Sequence, residues 1–250
     1  MHYWICTDDT DMPGTIGTGR LLQEICRELE EQGLGRCSAI SRHQLFVHED
    51  IPFTSHNSSM CFEMHLATGR EISGVIGYMA KALETRVPRG ADPGLCVSGP
   101  LTERAGEQLE AFGAAAKTQV LHKEDAAGFA RELGLHLSEH GGTGGGIIGA
   151  LAGVGLRMSG NDGRYRGWHH LGNPGDVFRV EALCRYPFID RLVTESGKPL
   201  PMAEQVHIGS EKTKTVRMGH QRVVVVKAND MFRNTGIACR TITKAEARRY

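Results

Sequence analysis

The feature that most constrains this chain is the order of its opening segments: an apolar run, three acids in four residues, loop breakers, then a helix. His2 to Cys6 reads as a short buried strand, so the carboxylates of Asp8, Asp9 and Asp11 are expected to emerge together where it ends. Carboxylates so close repel one another. The cluster costs stability unless a cation neutralises it, and all-oxygen donors suit Mg²⁺ or Mn²⁺ better than zinc. The bland reading of the same stretch is an acidic turn in which an Asp caps the following helix. Pro13, Gly14 and Gly17 then break the chain, and Thr18 opens a helical pattern over 18–33 with Leu21, Leu22, Ile25, Cys26 and Leu29 on one face. Thr18 reads both as the cap of that helix and as a hydroxyl beside bound phosphate. Strand, acidic turn, small-residue loop and helix N-terminus together offer a place for metal-bound phosphate.

With 250 residues, 40% of them hydrophobic and 23% charged, the chain can bury a core as one large or two small domains of a soluble globular protein. It has no apolar run of about 18 residues, so no membrane partner is expected. Its start lacks the basic end, long apolar centre and small-residue cleavage site of a secretory signal. Seven cysteines without a C-x-x-C pair suggest reduced thiols in a cytoplasm and argue against a zinc ribbon. The net charge of zero hides an asymmetry: residues 207–250 carry ten Lys or Arg against three Asp or Glu. Such a basic tail can meet ligand phosphates, a nucleic acid, or the acidic remainder of its own chain.

Periodicity places a strand at 58–65, a helix over 70–85, a strand at 94–98, a helix over 102–116, a strand at 118–121 and a helix over 124–133. Residues 164–170 read as a surface strand, 177–193 as a strand-and-turn region, 196–201 as a linker, and 206–228 as a small β-unit. Between 141 and 146 stand five glycines in six residues, followed by an apolar segment rich in small residues at 149, 150, 152, 153 and 155. Glycines leave the backbone free to turn its N–H groups inward, and the helix behind adds its positive end, which outlines an anion-binding nest. The segment lacks the Lys-Ser/Thr ending of a P-loop and the acidic residue of a dinucleotide fingerprint. Glycine clusters also occur simply as flexible loops, and that reading stands beside the first.

The DDTD turn, Thr18, the connection Ile51-Pro52-Phe53-Thr54-Ser55-His56-Asn57 and the segment Gly144-Gly145-Gly146-Ile147-Ile148-Gly149-Ala150-Leu151-Ala152-Gly153-Val154-Gly155 carry a resemblance. Over about residues 1–170 the chain resembles the catalytic region of the archaeal tRNA-isoleucine agmatidine synthetases, the TiaS family. The resemblance implies an ATP-using, kinase-like catalytic layer with an inserted ferredoxin-like subdomain, in a family that activates an anticodon cytidine for attack by agmatine. Carried over, it implies that Asp8, Asp9 and Asp11 hold Mg²⁺ and that Thr18 sits beside the γ-phosphate. Gly144, Gly145 and Gly146 would wrap phosphate, with Gly17, Gly19 and Asn57 also on the nucleotide. The stretches 15–21 and 55–57 depart from the family pattern, and a glycine replaces its glycine-loop arginine.

The expectation is therefore an α/β (α+β) protein with a small C-terminal β-rich unit. Its domains would be 1–60 with 136–200 as the catalytic domain, 61–135 as the inserted subdomain and 201–250 as the basic tail. Its function would be ATP- and Mg²⁺-dependent phosphoryl or adenylyl activation, with Asp8, Asp9, Asp11 and Thr18 catalytic. The expected acceptor is a small molecule or nucleotide, with a tRNA the less favoured partner because few residues remain beyond the resemblance to grip one. A phosphohydrolase using Asp9-Thr10-Asp11 and a nucleotide-binding protein without turnover are the alternatives.

Overall fold

The computed structural model describes residues 1–52, 56–228 and 239–250, and the chain divides by its own contacts into two units, Met1–Ser159 and Gly160–Tyr250. This division does not follow the sequence-based boundaries at 60, 135 and 200. Residue 60 lies inside a strand, and the segment 61–135 supplies strands to the same sheet that the N-terminus begins.

The first unit runs β1 (His2–Asp8), α1 (Thr18–Glu31), β2 (Gly35–Cys37), β3 (Ser41–Gln44), β4 (Ser58–Leu66), α2 (Ile72–Arg86), β5 (Gly94–Ser98), α3 (Glu103–Ala115), α4 (Lys123–Glu132), β6 (His136–Glu139) and α5 (Gly146–Met158). Its sheet is antiparallel in the order β6-β5-β1-β4-β3, and β2 also pairs with β4. The central strand β1 has a residue period of two, which sends its side chains to two different cores. Ile5 joins Phe62, Met64, Leu95 and Val97 against Leu21, Leu22, Ile25 and Leu29 of α1 and Val75, Met79 and Leu83 of α2. Burying each such aliphatic side chain contributes roughly 1.5–3 kcal/mol. On the opposite face Cys6, Cys61 and Cys96 stand side by side in register and meet Ala150, Leu151 and Val154 of α5 and Leu109 of α3.

The two faces differ in side-chain size, and the small face allows α5 to lie almost on the sheet. A Cβ on Gly153 would come within 2.3 Å of Cys6 Sγ, and one on Gly149 within 1.6 Å of Asp8 Oδ2. All seven cysteines are free thiols, and burial pushes those of Cys6 and Cys96 well above their usual pKa, so they are uncharged core residues. Two segments depart from the periodicity reading. Residues 118–121 form no strand and run as a turn and coil, whereas His136–Glu139, whose polar alternation is easily read as loop, pairs with β5 as β6.

The second unit holds β7 (Arg164–Tyr165), β8 (Val177–Arg179), α6 (Val180–Leu183), β9 (Arg191–Thr194), β10 (Gln205–His207), β11 (Thr215–Met218), β12 (Gln221–Ala228), β13 (Cys239–Thr241) and α7 (Lys244–Ala247). Its strands follow the order β7-β11-β12-β13-β10-β8, with β9 parallel to β12. The continuous run Val223–Val226 is explained by burial on both sides: Val224 and Val226 face one core, Val223 and Val225 the other. The supposed linker at 196–201 is instead a turn closed by Thr194 N–H to Lys198 O and Leu200 N–H to Leu192 O. The small C-terminal β-rich unit is thus present and begins well before residue 201. Among the described residues no helix is long and apolar enough to cross a membrane.

Candidate active site

β1 delivers Asp8 to the edge of a cavity of about 680 Å³ whose lining residues all belong to the first unit. The cavity gathers Asp8, Asp9 and Asp11 from the acidic turn, Gly17, Thr18 and Gly19 from the start of α1, and Gly145, Gly146 and Gly149 from the start of α5. Asn57 also lines it. Of the residues singled out from the sequence, Gly144 is the one that does not. Because helix N-termini carry unsatisfied N–H groups and partial positive charge, their convergence on one cavity favours an anion there. His122 and Lys123, at the start of α4, add a third such terminus.

The acidic pole is built by backbone geometry. Asp9 adopts a left-handed φ of 48°, which Asp tolerates better than most residues, and its N–H donates to Asp8 Oδ1 at 2.9 Å. Asp8 is only 9% exposed, because α5 crosses directly over it at Gly149. Burial, with smaller contributions from the Asp9 and Asp11 charges, pushes the Asp8 carboxyl up to about 7. Burial, then the charges of Asp92 and Asp11, raises Asp9 to about 6. Carboxyls held this way resist ionisation until a cation arrives. Yet among the described residues no three His, Cys, Asp or Glu side chains are grouped so as to hold a metal ion by themselves. A protein-only magnesium cage of Asp8, Asp9 and Asp11 is therefore not preformed.

The glycine loop departs further from expectation. Its nest does receive an anion, and that anion is the chain's own Asp92. Gly144 N–H donates to Asp92 Oδ1 at 2.6 Å, Gly145 N–H to Oδ2 at 2.9 Å, and the Thr143 hydroxyl also bonds Oδ2. Gly144 is required by conformation as well as by space, since its φ is +81° and a Cβ would strike the Lys123–Glu139 ion pair. Lys123 in turn donates to the Thr143 carbonyl at 2.9 Å, bracing the loop from the other side. The N–H groups of Gly144 and Gly145 thus bind a carboxylate in this conformation, where a phosphate was expected.

Two other expected residues line the cavity in different ways. Asn57 Nδ2 donates to Phe46 O at 2.5 Å, and its carbonyl accepts from Leu45 N–H and Gln44 Nε2, so it pins the strap after β3. Thr18 is not the helix cap. Gly17 occupies that position in extended geometry, and Thr18 is the first helical residue, 7% exposed at the cavity. The Phe53-Thr54-Ser55 part of the neighbouring connection lies outside the described residues. Sequence reasoning missed Asp92, Arg42, Gln119, His122 and Lys123, all of which line the cavity. The acid in Ala91-Asp92-Pro93-Gly94 precedes a strand, but only the antiparallel pairing of Asp8 with Gly94 reveals that it lies beside the acidic turn.

No family model and no curated protein matches this chain. Solved structures do. The crystal structure of apo TiaS, an agmatidine synthetase acting on an isoleucine tRNA, is 21% identical with a TM-score of 0.53, covering 62% of this chain and 35% of that one. The complex of TiaS with its tRNA and ATP and a tRNA fluorescent labelling enzyme are each 23% identical with a TM-score of 0.53, covering 62% of this chain and 36% of theirs. This chain therefore spans about a third of the length of the structures it matches. The likeness is one of fold, shared with part of the TiaS structures.

Proposed function

We propose that this chain carries an ATP- and Mg²⁺-dependent activating enzyme that transfers a phosphoryl or adenylyl group to an acceptor. The observation that carries the reading is the acidic turn, with Asp8 buried and Asp9 half-buried and their carboxyls raised to about 7 and about 6, in a cavity lined by the starts of α1, α4 and α5. An acidic pole beside partial positive charge suits a nucleotide whose phosphates bring their own cation. Mg²⁺ is commonly held by one or two carboxylates with phosphate oxygens and waters completing its shell, so the absence of a three-carboxylate cage among the described residues is compatible with it. When bound, the metal would neutralise charge developing on the phosphates.

In this reading Asp8 and Asp9 orient the cation, while Asp11 adds negative charge beside them. Gly17 and Gly19 let the start of α1 approach the phosphates closely, and the Thr18 hydroxyl lies within the cavity as acceptor or donor to the transferred group. Gly145 and Gly146 form the opposite wall, with Gly144 supporting it, while Asn57 holds the strap after β3 against the same cavity. The cavity's apolar side, Leu45, Ile51, Pro52, Val120 and Leu121, offers a surface for a flat base.

For the acceptor, an RNA nucleotide is the reading we favour over a free small molecule. Its support is the likeness to a fold solved with tRNA and ATP, and with tRNA, AMPCPP and agmatine. The test incubates the full chain with ATP and Mg²⁺, with and without total tRNA, and follows AMP, ADP and pyrophosphate. Release that rises with one tRNA species supports the proposal. Equal release without RNA returns the acceptor to a small molecule, and tight ATP binding without any turnover would reduce the protein to a nucleotide binder.

A further inference from the structure

The acidic turn and the glycine loop are far apart in sequence, and one residue ties them together. Asp92 N–H donates to the Asp9 carbonyl at 3.2 Å, so its backbone is anchored to the acidic turn. Its carboxylate accepts from Gly144 N–H, Gly145 N–H and the Thr143 hydroxyl, so its side chain holds the glycine loop. The next residue continues the seam, since the Pro93 carbonyl accepts from His140 N–H at 2.9 Å. The two backbones also approach closely: a Cβ on Gly146 would lie 1.9 Å from the Asp92 carbonyl oxygen.

We propose that Asp92 is the positioning residue of the nucleotide site, bolting the start of α5 to the acidic turn by filling the glycine nest with its own carboxylate. The proposal rests on the ATP-using reading above. It reassigns the loop: Gly144 and Gly145 bind Asp92, and what they contribute to the nucleotide is the fixed placement of Gly146, Gly149 and the helix end over Asp8. Three hydrogen bonds to one charged group set the position of the loop, and charge-assisted bonds of this kind are the stronger ones. The asparagine variant keeps the shape but leaves one side-chain atom able only to donate, facing donors. Alanine removes all three bonds.

The experiment has two arms on the full chain, using Asp92→Asn, Asp92→Ala and, as a milder change that keeps the carboxylate, Thr143→Val. Amide hydrogen exchange without ligand reads the bolt itself. Exchange over residues 143–146 should be slow in the wild type and about 10-fold or more faster in Asp92→Ala. Calorimetry with Mg²⁺ and a non-hydrolysable ATP analogue reads the positioning. The Kd should rise roughly 10- to 100-fold in Asp92→Ala, less in Asp92→Asn and least in Thr143→Val. A structural role alone would lower the melting temperature and leave the Kd of the folded fraction unmoved, and that result overturns the proposal. Tighter binding in Asp92→Ala also overturns it, because Asp92 would then be a plug that nucleotide must displace. If the wild type binds no nucleotide, the activating-enzyme reading falls, and unchanged exchange in Asp92→Ala would separately show that no bolt exists.

Discussion

Asp8 in the first unit and Glu246 in the second are both carboxylates largely covered by the chain, and their surroundings treat them in opposite ways. Glu246 accepts from Arg240 Nη2 at 2.9 Å and from Lys227 Nζ at 3.3 Å. It also closes a capping box with Thr243 at the start of α7. Those partners, Arg240 first, hold its carboxyl well below the usual range. Asp8 accepts a backbone N–H, stands beside other acids, and is raised to about 7. A carboxylate that is fully satisfied contributes to the fold, whereas one kept buried without a cation costs stability and is the mark of a site.

The largest way to break this contrast is Asp8→Asn. If Asp8 holds the cation that nucleotide brings, turnover should fall on the order of 100-fold or more while the protein stays folded. Turnover of ATP is the measurement, and an undiminished rate would move the chemistry elsewhere in the cavity.

The second test uses pH. Asp8 has a folded pKa of about 7 against roughly 3.9 in the unfolded chain. Between those values the folded state keeps a proton that the unfolded state has lost, so stability falls as pH rises through about 4 to 7 and levels off above. For Asp8 the loss is on the order of 2–4 kcal/mol. Glu246, with its pKa lowered, contributes in the opposite sense: its stabilisation is present above the unfolded carboxylate value and is lost as pH falls below it. Asp9, raised to about 6, adds a loss of the same sign, so urea melts in a chelator at pH 4.5 and 7.5 should show a decline that Asp8→Asn reduces and the Asp8→Asn, Asp9→Asn double variant largely removes; a flat wild-type profile would sink the argument.

How much of this was legible follows from where the information lies. Alternation and helical spacing are local, so β1, α1, α2, β5 and α5 could be read directly, and the small residues at 149 and 153 rightly signalled a close approach. The glycine loop was legible as an anion nest but not as to its anion, because Asp92 comes from another segment and no local pattern points to it. The expected strand at 118–121 failed because short apolar runs need a partner strand, and this one forms a cavity wall. β6 was missed because His136, Ser138 and His140 look polar, yet Ser138 Oγ lies within 2.9 Å of both imidazoles and satisfies them on the face of the sheet. Domain boundaries were the least legible feature, since sheet partners come from both sides of every proposed cut.

A third, smaller test returns to Glu246. Glutamine can still occupy the capping-box position, so Glu246→Gln removes the charge and little else. The ion pairs are partly solvated, and their loss should cost about 0.5–1.5 kcal/mol, read as a shift in the urea midpoint. A cost as large as that expected for Asp8 would mean that this network is no ordinary structural ion pair.

The smallest effect separates two threonines that the sequence presents alike. Thr243 is a true N-cap, its hydroxyl accepting from Glu246 N–H at 3.2 Å, and Thr243→Ala should cost about 1 kcal/mol. Thr18 also begins a helix, but Gly17 holds the cap position and Thr18 has no capping bond to lose. Thr18→Val keeps the volume and the branched shape in a buried position, so its stability change should stay within about 0.5 kcal/mol. Paired denaturation of the two variants decides it. If Thr18→Val costs as much as Thr243→Ala, the hydroxyl serves the fold. If it costs little and ATP turnover still falls, with Thr18→Ser restoring turnover, the hydroxyl belongs to the chemistry of the cavity.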